Sequence, residues 1–425
     1  MNCAFRRGRM SAFLGMKTGS FLPCALSLIS SLALASPAFL APGARAVPAR
    51  TTPTSSAVLS SASVPTSHPA PTHSAPFTSG TDGYQTFRIP SLTVTGAGEL
   101  LAICEGRKFS ASDAGDIDMV FKLSKDGGKT WSELGVIWDD STNTCGNPCV
   151  VRDAETGTIW LLSTWNRGDD HETRIINQTS KDTRRVFVCS SGDDGRTWSK
   201  PREITADAKL TNWTWYATGP GAGIQLQRGP AKGRLVIPCD HIEAGTRRYY
   251  SHVIYSDDHG KTWEPGGTTP RDQVNECEVV ELADGALMLN MRSYDPAKKA
   301  RQTAISRDGG ITWQDQQIVP ELVDPICQAS TRRLSWPKDG NPGVILFANA
   351  ASQRRERMTV RASLDEGGTW SVSRLITPQP SAYSCLVAMP EGSIGLLYET
   401  GPKSPYQGIV FTSFTLDWLK ENPNP

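Results

Sequence analysis

The sequence predicts an all-β fold, a six-bladed β-propeller with four antiparallel strands per blade, on three observations. The pattern Ser-x-Asp-x-Gly-x-Thr-Trp recurs five times without a mismatch, over Ser124–Trp131, Ser191–Trp198, Ser256–Trp263, Ser306–Trp313 and Ser363–Trp370. Its aspartates, Asp126, Asp193, Asp258, Asp308 and Asp365, are 67, 65, 50 and 57 residues apart, a period typical of repeat architectures. Few stretches show helical periodicity, and 38 glycines and 12 tryptophans describe a turn-rich, aromatic-rich chain. About 340 residues at roughly 57 per unit make six units, within the range of propellers.

Each repeat explains itself locally. Short apolar runs such as Met119–Leu123, Val186–Cys189 and Val253–Tyr255 precede the boxes, as a strand precedes a hairpin turn. Within the turn, Asp accepts from backbone amides, Gly permits positive φ, and Trp is available to cover a neighbouring unit. The boxes lack the further oxygen ligands and terminal Glu of a calcium loop, so they read as structural.

The N-terminal region differs in composition. Residues 1–35 resemble an export signal: positive charge from Arg6 to Lys17, an apolar stretch from Phe21 to Leu34, then Ala33-Leu34-Ala35 as a small-residue cleavage pattern. Residues 36–77 are rich in Ala, Pro, Ser and Thr and read as a disordered stalk. The catalytic body is expected over 78–425. The protein is therefore expected to be exported (secreted, periplasmic or at the cell surface) and to have no membrane span after signal removal.

Charge narrows the partners. Lys and Arg number 44 and Asp and Glu 43, for a net charge of +1. No acidic residue precedes Asp82, so the rest carries 38 basic and 43 acidic residues. That balance argues against a nucleic-acid partner. The ten cysteines do not form a disulfide pattern, although Cys145 and Cys149 are close enough for a bridge. His171, His241, His252 and His259 have no paired-ligand spacing, so no metal is expected, and the Gly219–Gly223 loop is not a dinucleotide signature, so no organic cofactor is expected either.

Between the boxes lie Phe87-Arg88-Ile89-Pro90, Thr218–Gln225, Asn275-Glu276 with Asn290-Met291-Arg292, Ala382-Tyr383-Ser384 and Leu397-Tyr398-Glu399. With these elements the chain resembles the bacterial exo-sialidase (neuraminidase) family over nearly all of residues 80–420. The resemblance implies a retaining exo-α-sialidase acting on sialylated glycoproteins, gangliosides and oligosaccharides. It places three carboxylate-binding arginines at Arg88, Arg292 and Arg355, with Arg354 adjacent to the last. Guanidinium groups suit that task because they stay charged and fork onto a carboxylate.

The resemblance also assigns Tyr383 as nucleophile and Glu276 as its base, with Glu278 and Glu281 as alternatives. A neutral phenol suits a sugar whose anomeric carbon carries a carboxylate, since an anionic nucleophile would be repelled. Asp113 is the acid/base, with Asp116 and Asp118 close by in sequence. Glu399 is implied to orient the first arginine. Arg107 and Asn147 are implied to contact sugar hydroxyl or N-acyl groups, although relatives often carry Asp at the position of Asn147. A monomer is expected. A trans-sialidase of the same fold and a non-catalytic glycan-binding propeller are the alternative functions.

Overall fold

The computed structural model describes residues 70–295 and 297–421. The expectations for residues 1–35 and for most of the stalk lie outside them. The described chain is all-β, with only short helical turns besides the strands.

Strands pair antiparallel in successive series. Thr86–Val94, Leu100–Arg107, Ile117–Ser124 and Gly135–Trp138 form the first. Thr144–Arg152, Ile159–Asn166, Arg185–Ser191 and Arg202–Glu203 follow. Next, Trp213–Thr218 and Ile224–Gln225 both pair with Leu235–Glu243, which continues to Tyr249–Ser256 and Glu264–Thr268. Val274–Glu281, Leu287–Ser293, Ala300–Ser306 and Gln314–Val323 form a separate four-stranded sheet.

Ser330–Ser335, Val344–Ala350 and Glu356–Ser363 lead into the long strand Val372–Ala388. That strand serves two series. Its first half pairs with Glu356–Ser363 and its second half with Ile394–Thr400. Ile394–Thr400 then pairs with Gly408–Phe414, and Thr72–Thr78 from the other end of the chain completes the row.

This last pairing corrects the expected boundary at residue 78: Thr72–Thr78 is a strand of the β body. The segment is polar in composition, as the sequence suggested. Its backbone groups are nonetheless satisfied by Gly408–Phe414, and Phe77 is fully buried against Phe87. Tertiary pairing therefore overrides a composition that reads as disordered.

Both faces of most strands are covered, which explains their continuous apolar runs. In Leu100–Arg107 all eight residues are buried, and Leu101 and Ile103 on one face are matched by Leu100, Ala102 and Cys104 on the other. Each box links the third and fourth strands of its series. In the first, Asp126 Oδ1 accepts from the backbone N–H of Lys129 (3.0 Å) and Thr130 (2.9 Å), and Oδ2 from the Thr130 hydroxyl (2.6 Å). Gly128 has φ +87°, and a Cβ there would lie 2.1 Å from the Phe411 ring. Trp131 meets Phe411 edge-on and donates to Ser74 Oγ (2.9 Å), so it covers the neighbouring series.

The eight cysteines among the described residues are all buried and free, Cys145 and Cys149 included. No helix among the described residues is long and apolar enough to cross a membrane.

Candidate active site

The site is built where the first strands of several series lose their regular register. Shifts fall between Arg88 and Ser91, between Gly146 and Cys149, between Val274 and Cys277, and between Ser381 and Ser384. Arg88, Asn147, Glu276 and Tyr383 lie at or within these irregularities, which re-aim side chains that strict alternation would direct elsewhere. Ile89 (φ +63°) and Asn147 (φ +54°) adopt left-handed backbone. For a β-branched residue such as Ile89 that conformation costs on the order of 1–3 kcal/mol. Its N–H is held by Glu399 Oε1 at 2.8 Å, which helps to fix the turn.

Tyr383 is at the centre. Its hydroxyl donates to Glu276 Oε1 at 2.5 Å and accepts from Arg292 Nη1 at 3.2 Å. The same Arg292 nitrogen donates to Glu276 Oε2 at 2.6 Å. Burial pushes the phenol well above its usual range and Glu276 adds to the shift, against Arg292 and Arg355. The phenol is therefore protonated at rest, with its proton already directed at a carboxylate.

Glu278 and Glu281 occupy other positions. Glu278 is fully buried and accepts from Thr331 N–H (2.7 Å), Ser330 Oγ (2.9 Å) and Ala222 N–H (3.3 Å). Glu281 accepts from the backbone N–H of Gln227 and Arg228. Of these three glutamates, Glu276 alone meets the Tyr383 hydroxyl.

Three guanidinium groups surround the phenol. Arg88 is buried, with Nε and Nη2 donating to Glu399 Oε1 (3.1 Å) and Oε2 (3.3 Å). Its guanidinium stacks on Tyr406 (4.2 Å) and lies 5.1 Å from the Tyr383 ring centroid. Arg355 lies 5.6 Å from that centroid, and its Nη1 donates to the Tyr406 hydroxyl at 2.7 Å. Its neighbour Arg354 is exposed. Glu399 also accepts from Tyr383 N–H (3.2 Å), so one buried carboxylate positions both Arg88 and the backbone of Tyr383.

Asp113 lies on the loop between Leu100–Arg107 and Ile117–Ser124. Its Oδ1 is 2.8 Å from Arg107 Nη2 and 3.4 Å from Arg88 Nη1, while the side chain remains 72 % exposed. Its partial enclosure would raise the carboxyl, but Arg107 and then Arg88 outweigh that effect and hold it below the usual carboxylate range. Asp116 pairs with Lys108 (3.2 Å), and Asp118 accepts from Tyr84 (2.6 Å) and pairs with Lys108 (3.1 Å). Of the three acids, Asp113 alone faces the arginines.

Arg107 is locked by Glu105, which accepts from its Nε (3.0 Å) and Nη2 (2.6 Å). The other Glu105 oxygen accepts from Asn147 N–H at 2.8 Å, joining the two expected sugar-contact residues. Asn147 Oδ1 accepts from Thr164 Oγ1 (3.1 Å) and from Arg184 Nη2.

The sequence reading missed Glu105, Arg184 and Tyr406. Glu105 was accessible from strand alternation, since it lies two residues before Arg107 on the same face. Arg184, buried and stacked 4.0 Å from the Trp215 ring centroid, and Tyr406, in the turn before Gly408–Phe414, belong to no motif read in the sequence.

Residues 98–396 match the BNR repeat-like domain family. A sialidase of Micromonospora viridifaciens is 37% identical over 355 residues, covering 80% of this chain and 53% of that protein, so the chain spans about half its length. The coverage is 61% for a sialidase of Bacteroides fragilis, 32% identical over 346 residues. Among solved structures, a Hadza microbial sialidase superposes with TM-score 0.72 at 31% identity, covering 81% of this chain and 69% of that one. An intramolecular trans-sialidase from Ruminococcus gnavus, at 21% identity and TM-score 0.69, covers 82% of this chain and 99% of its own and shares the fold. A sialidase of Paraclostridium sordellii is 30% identical over 361 residues, covering 77% of this chain and 84% of that protein, and on this match the chain belongs to the sialidase family.

Proposed function

We propose that the protein is a retaining exo-α-sialidase, a glycoside hydrolase that releases terminal sialic acid from glycoproteins, gangliosides and oligosaccharides through a tyrosyl-linked intermediate. The observation that carries this reading is the 2.5 Å contact between the Tyr383 hydroxyl and Glu276, set among Arg88, Arg292 and Arg355.

In the proposed mechanism the three guanidiniums receive the sugar carboxylate. Tyr383 attacks the anomeric carbon while Glu276 takes its proton, because a phenol held well above its usual range would rarely ionise first. Arg292 contacts both oxygens and steadies the negative charge as it passes from Glu276 to the developing phenolate. Asp113 protonates the leaving oxygen and then activates the water that frees the sugar. With the substrate carboxylate engaging Arg88, the cationic support for ionised Asp113 weakens. The proton then becomes easier to hold until the leaving oxygen takes it.

We further propose a six-bladed propeller, each of the antiparallel series forming one blade and Thr72–Thr78 closing the last against the C-terminal strands. The charge and apolar patterns before residue 36 support export. Turnover of a fluorogenic sialoside tests the activity, and a fluorinated sialyl donor tests the intermediate by labelling Tyr383. Absence of turnover from weakly acid to neutral pH overturns the proposal. Labelling of a different residue overturns the tyrosyl step.

A further inference from the structure

Phe109 is 79 % exposed, more than the other exposed large apolar side chains among the described residues, Val136, Leu210 and Ile311. It belongs to none of the apolar clusters that make up the core. A lone exposed aromatic is ordinary on a protein surface. Its position on the loop that carries Asp113 makes this one informative.

The loop is fastened at several points. Lys108 N–H donates to Asp116 O (3.1 Å) at its base, Arg107 Nη1 donates to Ala111 O (2.6 Å) at its middle, and Gly115 N–H donates to Thr144 Oγ1 (3.1 Å) near its end. Asp113 is pinned by Arg107 and Arg88. Between Lys108 and Asp113 the other side chains are Ser110, Ala111 and Ser112, all small. Phe109 is the single bulky group on the acid-bearing stretch of a tethered loop.

A general acid must reach the oxygen joining the sialyl unit to its leaving group. The leaving group is therefore next to the segment that supplies the acid. Resting on the sialidase reading above, we propose that Phe109 is a specificity-determining contact for the leaving group, receiving the C–H face of the neutral sugar to which sialic acid is attached. The ring offers an apolar surface at low entropic cost, since a phenylalanine has few rotatable bonds to restrain.

The test compares two substrates with Phe109→Ser and Phe109→Tyr: sialyllactose, whose leaving group is a neutral sugar, and sialyl fluoride, which has no leaving sugar. With Phe109→Ser, kcat/KM for sialyllactose is expected to fall roughly threefold to tenfold, mainly through KM. Sialyl fluoride turnover and inhibition by a dehydrated sialic acid analogue are expected to stay at wild-type values. Phe109→Tyr is expected to retain sialyllactose turnover. An equal fall on both substrates overturns the proposal, because it would show Phe109 acting through the loop and Asp113. Unchanged sialyllactose kinetics in Phe109→Ser overturns it too. Failure of the wild-type protein on both substrates is a separate result, which removes the sialidase reading and this contact with it.

Discussion

Glu276→Gln isolates the proposed proton transfer with little change of shape. Glu276 uses its two oxygens separately: Oε1 accepts from Tyr383 at 2.5 Å and Oε2 accepts from Arg292 at 2.6 Å. A glutamine has one oxygen, and Arg292, which can only donate, will claim it. The amide nitrogen then faces the phenol, to which it can donate but from which it cannot take a proton. Tyr383 must ionise unaided. With a reference pKa of about 10, a phenol is ionised to about one part in 10⁴ near pH 6.

Loss of a general base costs about 10²–10⁴ in rate, or roughly 3–5 kcal/mol of barrier, and kcat/KM should fall within that range. The pH profile adds a signature. Removing the carboxylate removes one cause of the raised phenol pKa. The ratio of variant to wild-type kcat/KM should therefore climb about tenfold per pH unit on the alkaline side, since the falling limb set by Asp113 is common to both proteins and cancels. Initial rates on a fluorogenic sialoside, with a thermal melt to verify folding, provide the readout. Activity of folded Glu276→Gln within about tenfold of wild type at every pH would refute the assignment of the base, as would a deep loss without alkaline recovery.

Three further outcomes are expected. In the free enzyme Asp113 is held below the usual carboxylate range, and substrate binding at Arg88 should raise it; the alkaline limb of kcat should therefore lie at higher pH than that of kcat/KM, a comparison made from full pH–rate profiles. Glu399→Gln removes a carboxylate that accepts from Arg88, Ile89 and Tyr383, leaving buried donors facing an amide nitrogen; stability should drop by about 2–4 kcal/mol in chemical denaturation, with a higher KM. Gly128→Ala must place its Cβ 2.1 Å from the Phe411 ring at φ +87°, whereas Gly127→Ala meets nothing within 4 Å at φ +72°. Denaturation should show a loss of about 2–4 kcal/mol for the first and about 1 kcal/mol for the second.

Local chemistry explains what was legible in the residue order. The box turn is satisfied within eight residues by Asp126, Thr130 and Ser124, so its pattern is complete in the sequence and predicts a hairpin wherever it recurs. The choice among Asp113, Asp116 and Asp118 was not legible in that way. All three lie within six residues, and what separates them is which cation each faces: Arg107 and Arg88 for the first, Lys108 for the other two. Likewise Glu276 and Glu278 differ by whether Tyr383 or Thr331 lies opposite, residues remote in the chain.

The order of residues alone thus determined an all-β chain of repeated hairpins and the resemblance that put Arg88, Arg292, Tyr383 and Glu276 on one list. The hairpins depend on short-range hydrogen bonding, turn geometry and alternation, and the resemblance rests on short motifs contiguous in the chain. The tertiary structure alone decided that Thr72–Thr78 joins the body, that Glu399 fixes Arg88, that Tyr406 connects Arg88 with Arg355, and that Arg184 secures Asn147. Each of these contacts joins residues distant in sequence, and a hydrogen bond a few ångströms long has no periodicity along the chain by which it could be read.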